Sequence, residues 1–167
     1  MITITILIGV IVLSVIADQI TKLIVVNSMA VGETVPVIED VFHFTYIQNR
    51  GAAFGMLANN RWVFMIISTV AIIAICVYLF RYCTESMLTK IGFALIVGGG
   101  IGNMIDRVIL GYVVDMIDCR FIDFYVFNVA DSCVCVGAGI VALSFILSSI
   151  KDAKAKKAGN STDDNRE

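Results

Sequence analysis

Four apolar stretches dominate the chain, and polar segments of different lengths separate them. They cover residues 2–26, 62–80, 91–110 and 126–150. About 20 apolar residues are needed to cross a bilayer as a helix, so this pattern predicts four transmembrane helices. The first stretch carries a polar insert late in its course, at residues 18–22. A cleaved signal peptide is the alternative for this stretch, but no basic leading region precedes it and Val15-Ile16-Ala17 is a poor cleavage site.

The segment 27–61, between the first two helices, has a different pattern. Thr34–Ile38 and residues 41–47 are rich in residue types that favour strands, and residues 48–55 are polar and turn-rich. We therefore expect a small β-cradle outside the membrane, with a loop that turns back toward the bilayer. Residues 111–125 are expected to form a loop between the third and fourth helices.

These elements are expected to form one domain. Residues 1–150 make up a single integral-membrane unit, and the polar tail 151–167 has a composition that predicts disorder. The fold class is an all-α membrane protein with four transmembrane helices and a small extracytoplasmic β-cradle. Composition agrees, because 59% of the residues are hydrophobic, 16% are charged and the mean hydropathy is +0.91.

Composition also disfavours several classes of partner and cofactor. The net charge of -2 is small and no basic patch is interleaved with aromatic residues, so no nucleic-acid partner is expected. The five cysteines are odd in number and form no C-x-x-C pair, which argues against a disulfide framework or a redox motif. With His43 as the one histidine, an ordinary zinc site is not expected. We predict that the protein requires no metal and no cofactor.

The distribution of basic residues predicts the orientation in the membrane. The loop 81–90 and the tail together hold seven Lys or Arg residues, whereas the segments on the opposite side hold three. The seven are Arg81, Lys90, Lys151, Lys154, Lys156, Lys157 and Arg166, and the three are Arg50, Arg61 and Arg120. The positive-inside rule then places both termini in the cytoplasm.

This orientation brings the polar residues of the membrane segments to one depth. The first and third helices run outward, so their late polar residues lie near the outer surface, where the fourth helix begins. The residues that we expect at this level are Asp18, Lys22, Asn49, Asn103, Asp106, Arg107, Asp115, Asn128 and Asp131. Such clustering at the outer leaflet indicates a common site.

Two carboxylates, Asp115 and Asp131, stand at the end of one apolar run and the start of the next. Neither has a basic residue three or four positions away, where a helix would supply an ion-pair partner. An unpaired carboxylate beside membrane-length apolar sequence is costly, and by default it is a functional-site hypothesis. We interpret the two as an aspartate pair for acid–base chemistry. The alternative is a structural role such as capping a helix end.

Other polar residues have structural interpretations. Asp18 and Lys22 are four positions apart and are expected to form an ion pair that braces the helices, with substrate contact as the alternative. Asp106 is expected to accept hydrogen bonds that fix the following loop. Arg107 is expected to reach another segment, because neighbouring helical residues point in different directions.

Three isolated side chains and one glycine run are interpreted as structural or surface features. Asp118 and Asp123 are interpreted as solvated surface charges, and His43 as a surface or strand residue. The glycine-rich run at residues 98–102 follows no strand and precedes no Lys-Ser/Thr, so it is not a phosphate loop. In a membrane helix such small residues indicate close approach of a neighbouring helix.

Five short motifs occur together and in order along the chain. They are Asp18-Gln19-x-Thr21-Lys22, Gln48-Asn49-x-Gly51-Ala52-Ala53-Phe54, Gly98-Gly99-x-x-Gly102-Asn103-x-x-Asp106-Arg107, Val113-Val114-Asp115 and Phe127-Asn128-x-Ala130-Asp131-Ser132. In this combination the chain resembles bacterial lipoprotein signal peptidase, also called signal peptidase II. With the four predicted helices, the motifs account for nearly the whole chain.

The resemblance implies an intramembrane aspartyl endopeptidase that removes the signal peptide of diacylglyceryl-modified prolipoproteins, on the amino side of the lipidated cysteine. It implies that Asp115 and Asp131 are the catalytic residues. The residues that it places around them or in substrate binding are Asp18, Lys22, Asn49, Gly51, Asn103, Asp106, Arg107, Asn128 and Ala130. We further expect a monomer in the bacterial cytoplasmic membrane, in contact with lipid, with the active site toward the outer leaflet.

Three positions depart from the family pattern. Tyr125 stands where a Pro is common, Met116 follows Val-Val-Asp where a Phe is usual, and Gly100 replaces a usual Ala. Two of them lie in or beside the compact segment 116–132. We expect the departures to change the shape of this segment and not the chemistry.

Two other interpretations of the aspartates compete with this one. A small proton-coupled transporter would use Asp18, Asp106, Asp115 and Asp131 as a relay. It would need polar residues along the whole span, whereas the inner halves of these helices are almost entirely apolar. A presenilin-type protease would carry a Gly-x-Gly-Asp motif, which is absent from the sequence.

Overall fold

Four long helices form the body of the protein. The computed structural model describes residues 2–51, 61–122 and 124–163. The helices are α1 (Ile2–Ser28), α2 (Arg61–Val77), α3 (Met87–Ile109) and α4 (Val129–Asp163), and a π-helical turn (Tyr78–Tyr82) extends α2. Within those ranges, the four contain segments long and apolar enough to span a membrane. The predicted fold class is confirmed.

The helix ends differ from the predicted ones, and α4 differs most. Helix α3 begins at Met87 because Ser86 caps it: the Ser86 hydroxyl accepts a hydrogen bond from the backbone N–H of Thr89 at 3.2 Å. Helix α4 continues to Asp163, through the segment whose composition predicted disorder. That segment is rich in Ala and Lys, which have high helix propensity, so the helix extends beyond its apolar span.

Helix α3 lies at the centre of the bundle and packs against α1, α2 and α4. A Cβ atom on Gly98 would lie 2.7 Å from the Cβ of Ser14 on α1. A Cβ atom on Gly99 would collide with the backbone carbonyl of Ala130 on α4. The glycine run therefore marks close helix approach, as predicted, and it allows the start of α4 to lie against the backbone of α3.

A three-stranded antiparallel sheet forms the cradle. Its strands, in order across the sheet, are β1 (Thr34–Ile38), β2 (Phe42–Asn49) and β3 (Val113–Cys119). The prediction of a loop over residues 111–125 is therefore wrong where β3 lies. Strand β3 is mostly buried along its length, so it lacks the apolar–polar alternation that identifies a half-buried strand in a sequence.

An apolar cluster anchors the sheet to the end of α1. Val25 of α1 packs with Tyr46 of β2 and with Val114 and Met116 of β3, and all four are buried. Complete burial of one large apolar side chain contributes roughly 1.5–3 kcal/mol, so such a cluster is sufficient to hold β3 beside α1. Because side chains alternate along a strand, Asp115 faces the opposite side of the sheet from this cluster.

Candidate active site

Asp115 and Asp131 line one cavity of about 810 Å³ between the sheet and the helices. Asp115 comes from β3, and Asp131 comes from the first turn of α4. Asn49, Asn103 and Arg107 line the same cavity. The structure therefore brings together the two aspartates and three of the polar residues that the sequence placed near them.

Asp131 and Asn128 form a reciprocal capping interaction at the start of α4. The side-chain oxygen of Asn128 accepts a hydrogen bond from the backbone N–H of Asp131 at 2.9 Å. In return, Asp131 Oδ2 accepts one from the backbone N–H of Asn128 at 3.2 Å. This is a capping box, with Asn128 as the N-cap. The capping role considered for Asp131 therefore exists together with its place in the cavity.

The cap also fixes the direction of the Asn128 amide. Because its oxygen accepts from Asp131, its NH₂ group points the other way and donates to Asp115 Oδ1 at 2.6 Å. The same group lies 3.0 Å from Asn103 Oδ1. Asn128 is completely buried. One side chain therefore contacts both candidate aspartates, and it couples the start of α4 to β3.

Asn49 of β2 holds the second oxygen of Asp115. Its NH₂ group donates to Asp115 Oδ2 at 2.9 Å, and its own oxygen accepts from the backbone N–H of Gly51 at 3.0 Å. Gly51 thus fixes the direction of the Asn49 amide. The sequence motif continues over residues 52–54, which lie outside the described residues. Both oxygens of Asp115 accept a hydrogen bond from an amide side chain.

Burial raises the pKa of Asp115 to about 6, whereas an exposed aspartate has a pKa of about 3.9. The hydrogen bond from Asn49 lowers this pKa, the negative charge of Asp131 raises it, and the hydrogen bond from Asn128 and the charge of Lys22 lower it. The raising effects dominate, so Asp115 keeps its proton to a higher pH than an exposed aspartate. Neighbouring carboxylates titrate jointly and can share one proton.

Asn103 and Arg107 approach the aspartates from α3. The NH₂ group of Asn103 donates to Asp131 Oδ1 at 2.8 Å. Arg107 was expected to reach another segment, but its hydrogen bond, a long one of 3.4 Å, goes to the backbone oxygen of Asn103 on its own helix. Its positive charge nevertheless acts on Asp131 and Asp115 across the cavity.

The ion pair predicted between Asp18 and Lys22 is present, with Lys22 Nζ 2.9 Å from Asp18 Oδ2. Lys22 forms a second ion pair, at 3.0 Å, with Asp106 of α3. Gln19 donates to Asp106 Oδ1 at 2.9 Å and lies 3.2 Å from Asp18 Oδ2. No role was predicted for Gln19, although its place in the first motif was a usable signal.

Asp106 and Ala130 take part in hydrogen bonds that involve the backbone near the aspartates. Asp106 Oδ2 accepts from the backbone N–H of Val114 at 3.0 Å, so Asp106 fixes the segment after α3, as predicted. Ala130 donates its backbone N–H to Asp18 Oδ1 at 2.9 Å. The small side chain of Ala130 also leaves room for Gly102, where an added Cβ would lie 3.3 Å from it.

The predictions for three isolated side chains have different outcomes. Asp118 was expected on the surface, but β3 places it beside β2, where it is buried and accepts hydrogen bonds from Thr45 at 2.7 Å and Arg120 at 3.2 Å. His43 lies in β2 and is buried, and its ring nitrogens have no hydrogen-bond partner among the described residues. Asp123 lies outside the described residues.

Apolar side chains also line this cavity. Ile47, Val113 and three aromatic residues line it, and we call Phe124, Tyr125 and Phe127 the aromatic rim. Phe124 makes edge-on contacts with Tyr125 and Phe127, at ring-centroid distances of 6.4 and 5.8 Å. A cavity lined by carboxylates and amides together with aromatic side chains is suited to an amphipathic ligand.

The two carboxylates in this cavity are held by hydrogen bonds from other side chains and from the backbone. Within residues 2–51, 61–122 and 124–163, no group of three or more His, Cys, Asp or Glu side chains could hold a metal ion. The carboxyl oxygens of Asp115 and Asp131 instead accept hydrogen bonds from amide and backbone donors. Proton transfer to and from a reacting group is the chemistry that such a pair performs.

Comparison with known proteins gives the family. A family model described as signal peptidase (SPase) II matches residues 10–147. A lipoprotein signal peptidase of Halothermothrix orenii is 45% identical over 134 residues, which cover 80% of this chain and 90% of the relative. One of Clostridioides difficile is 47% identical over 120 residues, or 72% and 80% of the two chains. The chain belongs to the signal peptidase II family.

A solved structure agrees with this assignment. A bacterial membrane enzyme superposes with a TM-score of 0.81 at 34% identity, and the match covers 92% of each chain. As a signal peptidase II, the protein is a membrane-embedded peptidase of the aspartic type. Two aspartates, Asp115 and Asp131, line the cavity described above.

The three departures from the signal peptidase II pattern lie in different environments. Tyr125 is on the aromatic rim and lines the cavity. Met116 is buried in the cluster under β3, on the side of the sheet away from Asp115. Gly100 faces α2, where an added Cβ would lie 3.0 Å from the side chain of Ile72. Of these three residues, Tyr125 is the one that lines the cavity.

Proposed function

We propose that the protein removes the signal peptide of diacylglyceryl-modified prolipoproteins by cleaving before the lipidated cysteine, with Asp115 and Asp131 as its catalytic pair. The observation that carries this proposal is their connection through Asn128, whose buried amide donates to Asp115 while its oxygen caps the helix that bears Asp131. Carboxylates from a strand and a helix are thereby held in one partly apolar cavity.

The reaction requires one ionised and one protonated carboxylate. Neighbouring carboxylates do not both ionise readily, so one of them keeps a proton. The ionised member takes a proton from a water molecule, whose oxygen attacks the scissile carbonyl carbon. The protonated member donates a hydrogen bond to the carbonyl oxygen, and protonation of the leaving amine completes cleavage of the C–N bond. Because neighbouring carboxylates titrate jointly, the retained proton belongs to the pair.

The lipid on the substrate matches the apolar part of the cavity lining. The scissile bond must come within hydrogen-bonding reach of the aspartates while the attached acyl chains stay out of water. The aromatic rim supplies an apolar surface beside Asp115, and Phe124 and Tyr125 are each 55% exposed. Aromatic residues are common at the membrane interface. We therefore propose that the acyl chains cross the aromatic rim on their way to the surrounding bilayer.

We also propose that the protein is a monomer in the bacterial cytoplasmic membrane, with both termini in the cytoplasm and the active site toward the outer leaflet. Asp18 and Lys22 lie in the later half of α1, Asp106 lies late in α3, and Asp131 lies in the first turn of α4. These residues meet at the end of the bundle that carries the sheet. The Lys and Arg residues of the loop 81–90 and the tail support a cytoplasmic position for the other end.

The test is cleavage of a purified precursor in detergent or lipid vesicles. The protein is incubated with a diacylglyceryl-modified prolipoprotein and, as the matched control, with the same precursor lacking the lipid. We expect a shift in gel mobility for the lipidated precursor alone, and mass spectrometry should find the modified cysteine at the new N-terminus. Equal cleavage of both precursors, or cleavage of neither by folded protein, would contradict the proposal.

The pKa of Asp115 predicts how activity depends on pH. The active pair holds one proton, so kcat/KM should fall as the pH rises beyond the upper apparent pKa, near pH 6 or above. Asn49→Ala removes a donor that favours the ionised form of Asp115, which raises this pKa and moves the falling limb to higher pH. Gln48→Ala is the control, because that side chain contacts the Tyr46 hydroxyl instead. If the falling limb of kcat/KM against pH were the same in Asn49→Ala as in the unmodified protein, the assignment of this pKa to Asp115 would be wrong.

A further inference from the structure

The ammonium of Lys22 has a defined partner for each of its three protons. Its Nζ atom lies 2.9 Å from Asp18 Oδ2, 3.0 Å from Asp106 Oδ2 and 2.9 Å from Asn103 Oδ1. Lys22 is 3% exposed, Asp18 is 0% exposed and Asp106 is 3% exposed. A lysine ammonium has three donors, and here all three are satisfied by side chains of α1 and α3. Its position is therefore tightly determined.

The first partner, Asp18, holds the backbone beside one catalytic residue. While Asp18 Oδ2 pairs with Lys22, Asp18 Oδ1 accepts from the backbone N–H of Ala130 at 2.9 Å. Ala130 immediately precedes Asp131 in the first turn of α4. A carboxylate on α1 thus satisfies one of the free N–H groups at the start of α4, and the position of Asp131 depends on it.

The second partner, Asp106, holds the backbone beside the other catalytic residue. Asp106 Oδ2 is shared between Lys22 and the backbone N–H of Val114, at 3.0 Å in each case. Val114 immediately precedes Asp115 in β3. This hydrogen bond is buried and charge-assisted, which makes it stronger than a bond between neutral groups. The Lys22 ammonium is therefore connected through Asp18 to the backbone beside Asp131, and through Asp106 to the backbone beside Asp115.

The third partner, Asn103, donates directly to one of the aspartates. Its oxygen accepts from Lys22 at 2.9 Å and from the Asn128 amide at 3.0 Å. With the oxygen held by two donors, the NH₂ group is directed at Asp131 Oδ1, 2.8 Å away. If the amide were reversed, its NH₂ group would face the Lys22 ammonium, with donor against donor. Lys22 therefore also fixes the orientation of the Asn103 amide, so that its NH₂ group points at Asp131.

We propose that Lys22 is a positioning residue that holds the backbone beside Asp115 and the backbone beside Asp131 at a fixed separation. The inference rests on the proposed function, since it requires that the two aspartates act together. Sequence spacing alone predicts one partner for Lys22, which is Asp18 on the same helix. The contacts in the structure connect Lys22 to β3 and to α4, the elements that carry the two aspartates. A buried ion cluster is costly to desolvate, and specifying one geometry is a role that can offset this cost.

The test removes the ammonium while keeping the neighbouring hydrogen-bond acceptors. In the triple variant Asp18→Asn, Lys22→Met and Asp106→Asn, methionine replaces the lysine stem with an unbranched apolar side chain. Each asparagine keeps an oxygen that can accept from Ala130 or Val114. Because no unpaired charge remains buried, this variant can fold even if Lys22→Met alone cannot. Thermal unfolding of the detergent-solubilised protein establishes that it has folded.

The proposal predicts an effect on turnover more than on binding. The folded triple variant should cleave the lipidated precursor with kcat lower by about 10²-fold, as for a small misplacement of catalytic groups, and with little change in KM. The pH at which kcat/KM falls to half should also move, because the spacing of the two carboxylates and the loss of the Lys22 charge both affect how they share a proton. A folded triple variant with the wild-type kcat and pH profile would overturn the proposal.

A second variant keeps the test decisive if the triple variant does not fold. Asp106→Asn preserves the pair between Lys22 and Asp18 and removes the ionic connection to α3. A lower kcat with an unchanged KM in this variant supports the positioning role, and a wild-type kcat overturns it. Unmodified protein is assayed first: if it cleaves neither precursor, the proposed function fails, and that failure is recognised before any variant is compared.

Discussion

Replacing Asp115 or Asp131 with asparagine is expected to reduce cleavage of a lipidated precursor by about 10²-fold to 10⁴-fold, the usual contribution of positioned acid–base groups. Asparagine has nearly the same shape as aspartate but cannot take a proton from water or donate one to the leaving amine. At position 131 it also keeps an oxygen that can accept from the Asn128 backbone, so the capping interaction at the start of α4 is preserved.

The measurement is single-turnover cleavage, with thermal unfolding of each variant as the control for folding. Asp118→Asn is a matched control, because Asp118 lies in the same strand as Asp115 and is also buried, yet bonds Thr45 and Arg120 and not the cavity groups. We expect this control to keep wild-type turnover when folded. Substantial turnover by a folded Asp115 or Asp131 variant would remove the aspartate pair from the mechanism.

Substitutions of Asn128 are expected to separate its two roles. Asn128→Ala removes both the helix cap and the donor to Asp115, so it should lower stability by about 0.5–2 kcal/mol and turnover by about 10²-fold. Asn128→Ser keeps an oxygen that can cap α4 but has no NH₂ group for Asp115. The serine variant should therefore retain most of the stability and still lose the turnover.

Thermal unfolding and kcat measured on the same preparations test this separation. The informative comparison is between the alanine and serine variants, because they differ in the cap and share the loss of the amide donor. If serine restored turnover along with stability, Asn128 would act on catalysis through the helix cap alone. If neither property fell in Asn128→Ala, the connection between the aspartates would have no energetic significance.

The helices could be predicted from the sequence because the pattern that produces them is local. An apolar run of about 20 residues satisfies its backbone groups within a membrane only as a helix or a closed barrel strand. The helix ends are less predictable, since they depend on single contacts such as the Ser86 cap of α3. The length of α4 was also missed, because disorder was predicted from charge where Ala and Lys favour helix.

Strand β3 could not be predicted because its signals depend on distant segments. Asp115 and Asp118 are poor strand formers, and they break up an otherwise apolar run. Their cost is offset by partners from elsewhere in the chain, including Asn49 for Asp115 and Thr45 for Asp118. These contacts exist only when β2 lies beside β3. A sequence window around β3 therefore contains the acidic residues but not the groups that stabilise them.

The residues of the candidate site could be proposed from the sequence, but the contacts among them could not. Asp115 and Asp131 stand out because unpaired carboxylates are rare beside membrane segments. Spacing along a helix also identifies the pair of Asp18 and Lys22. The contacts of Asn128 with both aspartates depend on the distance between β3 and α4, which no local pattern contains.

The position of β3 in the chain has a consequence for the biogenesis of the enzyme. Strands β1 and β2 leave the ribosome before α2 and α3, whereas β3 and α4 follow them. Chains are synthesised from the N-terminus. The hydrogen bond between Asn49 and Asp115 therefore cannot form until α2 and α3, which lie between the two residues in the chain, have been synthesised. Asp131 arrives later still. A half-inserted chain therefore lacks β3 and α4, and with them both aspartates of the proposed catalytic pair.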